Sequence, residues 1–248
     1  MIATAKPTQS GVRAWFDLAR AGNFPSVASN VLAALVLSSV AGPVWPTAGV
    51  LAMTIVSGCF VYAGGATLND VADAHFDAQH RPERAIPRGA VTRTGASWIA
   101  AVELVVGLGV LVFSGASVVL SIALVATILV YDWIHKRWIG AVVLMAGCRV
   151  LLAVALASLP GHGARSAFLW WAGPLFVYII TLSLIARWEY RAQSNRAAGL
   201  GRMVGRLLAF IPLIDAIALL LTGAWAPALA CAAAVPLGKW AQRLAAST

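Results

Sequence analysis

Val61-Tyr62-Ala63-Gly64-Gly65-Ala66-Thr67-Leu68-Asn69-Asp70-Val71-Ala72-Asp73-Ala74-His75-Phe76-Asp77 is an apolar run that stops at an asparagine and then carries three aspartates. Its apolar part closes a hydrophobic stretch that begins near residue 47, about the 20 residues that a helix needs to cross the hydrocarbon of a bilayer. Residues 47–68 therefore read as a membrane span, with the aspartates where the chain leaves the lipid. The same reading places spans near 20–42, 93–113, 116–134, 139–158, 168–187, 203–222 and 225–243. Gly42-Pro43, Pro46, Gly115, Pro160-Gly161 and Gly223 punctuate them. The expected fold is an all-α membrane protein, a transmembrane bundle of about eight spans forming a single domain over 1–248.

Composition excludes the soluble classes. Hydrophobic residues make up 60% of the chain and charged ones 11%. A water-soluble helix needs a polar face, and too few polar residues exist to provide one. The net charge of +9 would suggest nucleic acid in a soluble protein; here it records topology, because basic residues stay on the cytoplasmic side. With the N-terminus inside and the spans alternating, sixteen of the eighteen Lys and Arg residues fall inside, Arg165 lies outside and Arg149 lies within a span. Trp15, Trp98, Trp133, Trp138, Trp188 and Trp240 sit near inner ends, and Trp45, Trp170, Trp171 and Trp225 near outer ends, as interfacial belts require. This pattern predicts a multi-pass protein of the inner (cytoplasmic) membrane, with the N-terminus and the acidic loop cytoplasmic. Ser39-Val40-Ala41 resembles a signal-cleavage site, but the apolar run is long and the preceding polar segment too extended for a signal peptide. Cys59, Cys148 and Cys231 are far apart in apolar stretches and read as small core residues.

Asp70, Asp73 and Asp77 stand at i, i+3 and i+7, one face of a helix over two turns. Like charges stacked in this way repel unless a cation lies between them. Mg2+ suits the role, since it prefers hard oxygen ligands and joins one or two carboxylates to a substrate phosphate. Arg81-Pro82-Glu83-Arg84-Ala85-Ile86-Pro87-Arg88 follows at once, with prolines that hold it out of a helix. Arginines beside a carboxylate stripe suit a diphosphate, and Lys136 and Arg137 in the next inside loop add charge. The competing reading is a solvated acidic helix end. A zinc site on His75 and His80 lacks an accompanying Cys/His set.

The stretch from Asn69 resembles the first signature of the UbiA superfamily of intramembrane prenyltransferases. Asn69, Asp70, Asp73 and Asp77 match its N-D-x-x-D-x-x-x-D, and Arg81, Pro82, Arg84, Ile86, Pro87 and Gly89 match the loop that follows. Tyr62-Ala63-Gly64-Gly65, and Thr181 through Glu189, look most like the EboC-like branch. The resemblance implies a helical bundle around a central cavity open to lipid. It implies Mg2+ on Asp70, Asp73 and Asp77, and a polyprenyl diphosphate held by Asn69, Arg81, Arg84, Arg137 and Arg187, with Lys136 at the catalytic centre. It implies transfer of the polyprenyl group to a small acceptor, which the EboC-like likeness tilts toward a hydroxyl-bearing one, with Arg149, Asn23 and Glu189 as candidate acceptor contacts. The rivals on the same scaffold are a terpene cyclase and a non-catalytic isoprenoid-binding or transport component.

The chain departs from the family pattern in two ways. The loop after the sixth span, Arg187-Trp188-Glu189-Tyr190-Arg191-Ala192-Gln193-Ser194-Asn195-Arg196, has no aspartate where the family has a second acidic motif. Glu189 is its only acid; Arg187, Arg191 and Arg196 either bind phosphate or anchor the loop on the inner side. One span fewer than the family's usual complement is legible. Within the spans, Glu103, Arg149 and Asp215 are ionisable and need partners. Arg149 is expected to pair with Glu103 or Asp215, or to line the chamber. Asn23 and Asn30 either line it or bond between helices, and Asp132 is a base, a partner of Lys136 or an interface residue. Gly201 and Gly205 form a small-residue pair that packs helices within one chain, and the oligomeric state is not legible.

Overall fold

A computed structural model describes residues 11–189 and 194–245, the side chains of 189 and 194–202 excepted. The elements are α1 (Gly11–Leu18), a 3-10 turn (Ala21–Asn23), α2 (Phe24–Ser38), α3 (Ala48–His80), α4 (Arg93–Phe113), α5 (Val118–Ile134), α6 (Ala141–Leu156), α7 (Ser166–Glu189), α8 (Ser194–Leu221) and α9 (Trp225–Leu244). Among the described residues there is no strand, only the bridge Ser39–His162. The 21–38 segment, α3, α4, and the 166–188 and 203–221 segments are long and apolar enough to cross a membrane; α5 and α6 are apolar but shorter. The all-helical membrane bundle expected from the sequence is the fold observed.

The bundle is organised around α2, twelve of whose fifteen residues are buried. It packs against α3, α6, α7, α8 and α9. With no charged residue, and with its few polar side chains bonded inside the bundle, α2 has the composition of an interior helix. The outward faces carry Trp98, Val105, Phe113, Val119, Trp170 and Leu221, all exposed and matched to lipid.

Two expected boundaries move. The first span was expected over 20–42, but α2 ends at Ser38. The segment after it is tied down by Gly163 N–H donating to Ser38 O (2.8 Å) and Val40 N–H donating to Gly161 O (2.9 Å). Arg165, placed on the outer side by the charge pattern, donates to Ser39 O at 2.6 Å and so satisfies a carbonyl beyond the helix end. The second span was expected to stop at 68, yet α3 continues to His80. Nothing between 69 and 80 breaks a helix, and Pro82 is the first residue that does. At 33 residues α3 is about 50 Å long, well beyond the hydrocarbon thickness. Its last three turns therefore carry the aspartates clear of the lipid.

The approach of α3 to α4 depends on missing side chains. A Cβ on Gly107 would lie 2.7 Å from Val61 N and 3.0 Å from Ser57 O, both backbone atoms that cannot swing aside. Ser57 Oγ uses the same proximity to donate to Gly107 O at 2.7 Å. Gly107→Ala is expected to force the helices apart and cost about 1–3 kcal/mol. A lowered melting temperature of the detergent-solubilised protein, against an unchanged Gly109→Ala control whose Cβ meets nothing within 4 Å, checks this.

Candidate functional site

One cavity of about 460 Å³ runs into the bundle. It is bounded by α2, α3, α5, α6, α7 and α8, and its lining divides by depth. At the end where α3, α5 and α7 finish lie Arg20, Asn69, Asp73, Arg81, Arg84, Asp132, His135, Lys136 and Arg187. Farther in, the walls are Val27, Val61, Leu124, Ile128, Leu152 and Ile179, with Asn30, Tyr62 and Arg149 as polar exceptions.

The helical register puts the three aspartates on one face, as their spacing predicts, and buries them to 7%, 3% and 1% exposure for Asp70, Asp73 and Asp77. Each has a different environment. Asp70 Oδ1 accepts from Arg20 at 3.0 Å and from Arg84 at 2.5 Å. Asp73 meets His135 Nε2 at 3.1 Å and Lys136 Nζ at 3.1 Å, both from the segment that follows α5. Asp77 has Arg84 at 3.7 Å, while both its oxygens are buried without a hydrogen-bond partner. Of the three, Asp73 is the one that lines the cavity. Asn69 accepts from Arg20 (3.1 Å) and donates to Asp132 Oδ1 (3.1 Å), which bridges α3 to α5. Arg187 donates to His135 O at 2.6 Å, and Lys136 Nζ stands 3.5 Å over the Phe76 ring. Among the described residues no three carboxylate, imidazole or thiol groups converge closely enough to hold a metal ion by themselves.

The structure thus brings Asn69, Asp70, Asp73, Asp77, Arg81, Arg84, Lys136 and Arg187 to one end of the bundle. Arg137 is exposed and is not part of the lining. Asn23 is buried behind the wall, donating to Tyr62 Oη at 2.8 Å and accepting from Gln242 at 3.3 Å. Arg191 lies outside the described residues, as do the side chains of Glu189 and Arg196, and Gly201 of the small-residue pair is described only as part of the α8 backbone.

The charges within the bundle pair differently from expectation. Glu103 accepts from Trp15 Nε1 (2.8 Å) and Thr67 Oγ1 (2.9 Å), which ties α1, α3 and α4 together away from the cavity. Arg149 pairs directly with neither Glu103 nor Asp215. Its Nη1 donates to Asn30 Oδ1, and Asn30 in turn donates to Asp215. A neutral amide stands between the two charges because α2 lies between α6 and α8.

Arg20 and His135 are site residues that the sequence reading did not single out. His135 lies three residues after Asp132, one helical turn away, and that spacing was a readable signal. Arg20 had none. It adopts the left-handed conformation (φ 47°, ψ 46°), uncommon for a residue with a side chain, at the corner between α1 and α2. Backbone strain of this kind persists where surrounding contacts over-determine it, and here the guanidinium is held by Asn69 and Asp70.

A model of the UbiA prenyltransferase family matches residues 30–247. Several curated relatives carry the name digeranylgeranylglyceryl phosphate synthase. The protein of Thermococcus kodakarensis is 34% identical over 135 residues, 51% of this chain and 48% of that protein. The Methanoregula boonei protein is 38% identical over 119 residues, 48% and 40% of the two chains. The matched region spans about half the length of these relatives or less. A solved structure concerned with the biosynthesis of digeranylgeranylglyceryl phosphate synthase in membranes superposes with a TM-score of 0.61 at 13% identity, over 95% of this chain and 96% of the other. That likeness is one of fold.

The buried ion pairs set an order of sensitivity. Arg84→Ala strips Asp77 of its charged neighbour and leaves Asp70 with Arg20, while Arg20→Ala leaves Arg84 in place on both. Removing one partner from a buried pair costs about 3–5 kcal/mol. Arg84→Ala is therefore expected to lower the melting temperature more than Arg20→Ala does, as thermal unfolding followed by size-exclusion chromatography would report.

Proposed function

This chain belongs to the UbiA prenyltransferase family, and on that footing we propose that it is an intramembrane enzyme that transfers a polyprenyl group from its diphosphate to a hydroxyl-bearing acceptor. The observation that carries the reading is the division of one cavity into a charged mouth and an apolar depth. A prenyl diphosphate is divided in the same way. Arg81, Arg84, Lys136 and Arg187 line the mouth, where guanidinium and ammonium groups bind diphosphate oxygens. Val61, Leu124, Ile128, Leu152 and Ile179 give the tail a dry wall and keep water from a developing allylic cation. In the transfer the allylic C–O bond breaks, diphosphate leaves with the electron pair, the acceptor oxygen bonds to carbon, and its proton passes to the departing diphosphate.

The donor set suits Mg2+. Carboxylates are the hard oxygens it takes, and it is held by one or two of them together with substrate phosphates. Asp77 offers two buried oxygens without hydrogen-bond partners, Asp73 faces the cavity, and Asp70 stands on the same stripe. Because the three do not converge into a complete ligand set among the described residues, one or two of them, Asp73 at the cavity wall first, would hold the ion together with the phosphates of the substrate. Bound there, Mg2+ would supply charge that stabilises the departing diphosphate. Asp70 meanwhile orients Arg20 and Arg84, and Asp73 orients His135 and Lys136, toward the same end of the cavity.

The acceptor reading rests on two supports. Arg149 reaches the cavity wall beyond the mouth, where it can orient a polar group. The named relatives are synthases of a glyceryl phosphate product, which points to a glycerol hydroxyl as nucleophile. The inside-positive charge pattern supports a cytoplasmic mouth on the inner membrane.

Purified protein in nanodiscs, given geranylgeranyl diphosphate and geranylgeranylglyceryl phosphate, is expected to release diphosphate and form an ether product. Asp73→Asn is expected to lower the rate roughly 100-fold or more, the scale of losing one group that stabilises developing charge. Chelation with EDTA is expected to stop diphosphate release, and added Mg2+ to restore it. Mass spectrometry of the products separates the rivals: a cyclic hydrocarbon formed without acceptor indicates a cyclase, and donor binding without diphosphate release indicates a carrier.

A further inference from the structure

Asp215 lies in the last third of α8, fully buried, and neither the diphosphate mouth nor the acceptor contact makes direct use of it. Every neighbour bonded to it is a donor. Ser29 Oγ donates to Oδ2 at 2.6 Å, Trp171 Nε1 donates to Oδ1 at 2.8 Å, and Asn30 Nδ2 straddles both oxygens at 2.9 and 2.7 Å. A carboxylate is an acceptor only, so Asn30 must turn its amide nitrogen toward Asp215. Its carbonyl oxygen is then forced the other way, onto Arg149 Nη1. Ser26 completes the support. Its hydroxyl donates to Asn23 O at 2.8 Å, which leaves lone pairs facing Arg149 Nη2 at 3.4 Å.

The amide therefore acts as a polarity relay. Without the carboxylate behind it, Asn30 could present either its oxygen or its NH2 to Arg149, and the NH2 would repel the cation. The guanidinium is also left with unspent capacity. Of its five N–H donors, the contacts among the described residues all fall on Nη1 and Nη2, and all go to the uncharged groups of Ser26 and Asn30. No carboxylate touches Arg149 directly. Its charge is balanced only at one remove, by Asp215 across the amide. The guanidinium carbon lies 5.7 Å from the centre of the Tyr62 ring, which bounds the cavity beside it. A cation held in this way among apolar walls is best complemented by an oxyanion taken in bidentate fashion.

We propose that Asp215 is a positioning residue that, through Asn30, holds the Arg149 guanidinium aimed into the cavity, where it meets the phosphate of the glyceryl phosphate acceptor proposed above. The inference rests on the prenyltransferase reading for the word acceptor, but the binding geometry it describes does not depend on turnover. Asp215 touches neither substrate; it acts through the amide of Asn30.

The test is binding, measured without donor present, on the full chain in nanodiscs. The probes are geranylgeranylglyceryl phosphate and its neutral counterpart, geranylgeranylglycerol. Wild type is expected to bind the phosphate the more tightly by about tenfold or more, the worth of a charge-assisted contact. Asp215→Asn is expected to erase most of that preference while leaving the dissociation constant for geranylgeranyl diphosphate within about twofold, since the donor mouth lies elsewhere. Asn30→Ala removes the relay and leaves Asp215 its bonds to Ser29 and Trp171; it is expected to give the same loss should Asp215→Asn fail to fold. Equal loss of donor and acceptor affinity in the variants would mark a purely structural network and overturn the proposal. So would equal wild-type affinity for the two acceptors, or an unaltered preference in both variants. If wild type binds both lipids as expected but never releases diphosphate, the enzymatic reading fails and the Asp215 relay stands.

Discussion

A helix longer than the membrane is thick must put its excess somewhere, and in this protein the excess of α3 carries the polar chemistry. At 33 residues it crosses the lipid and then continues for three turns with no residue that would break it. The turns are rigid because they belong to the same helix that packs along α4. Asn69, Asp70, Asp73 and Asp77 are thus presented on a helical scaffold, and the arginine loop and the end of α5 close around them. An equivalent motif on a loop would lack that stiffness. The mouth of the cavity stays fixed relative to its apolar walls because both are built on α3.

A second constraint works within the bundle. Charge in hydrocarbon must be answered by nearby polar groups, and two solutions occur. Glu103 is answered by an indole and a hydroxyl and serves as a tie between α1, α3 and α4. Arg149 and Asp215 share an amide instead, and one of the two reaches the cavity. The difference comes from which helix intervenes. The small, polar positions Ser26, Ser29 and Asn30 of α2 sit between α6 and α8, and they turn what the sequence suggests as an ion pair into a three-part chain.

Much of the fold was legible because membrane helices obey a length rule: five of the eight expected spans fall on helices long and apolar enough to cross a membrane, while those at 116–134 and 139–158 fall on the shorter α5 and α6 and the last on α9. The boundaries that moved did so for local reasons invisible to hydropathy. The end of α2 is set by bonds to residues 161, 163 and 165, far away in sequence. The aspartate stripe was legible because its spacing is helical. The individual fates of its members were not, since Asp70, Asp73 and Asp77 are distinguished only by which cations reach them from other elements. Arg20 was hidden for a different reason: its role follows from a left-handed backbone corner that residue type does not announce. His135 was marked only by its spacing one turn after Asp132, while its partner Asp73 lies on another helix.

The burial of α2 also bears on how the protein is made. It is the first long apolar segment in the described chain, yet it has almost no surface meant for lipid. Its neighbours α6, α7, α8 and α9 all come later in the sequence. During synthesis α2 must therefore wait in the bilayer with the Ser29 hydroxyl and the Asn30 amide N–H groups unanswered until α8 delivers Asp215. Closure of so long a span of chain is slow by nature, and the half-built molecule exposes a helix with unmet hydrogen-bonding groups. Insertion factors that shelter polar transmembrane segments would matter most in that interval, and a chain cut short before α8 would never leave it.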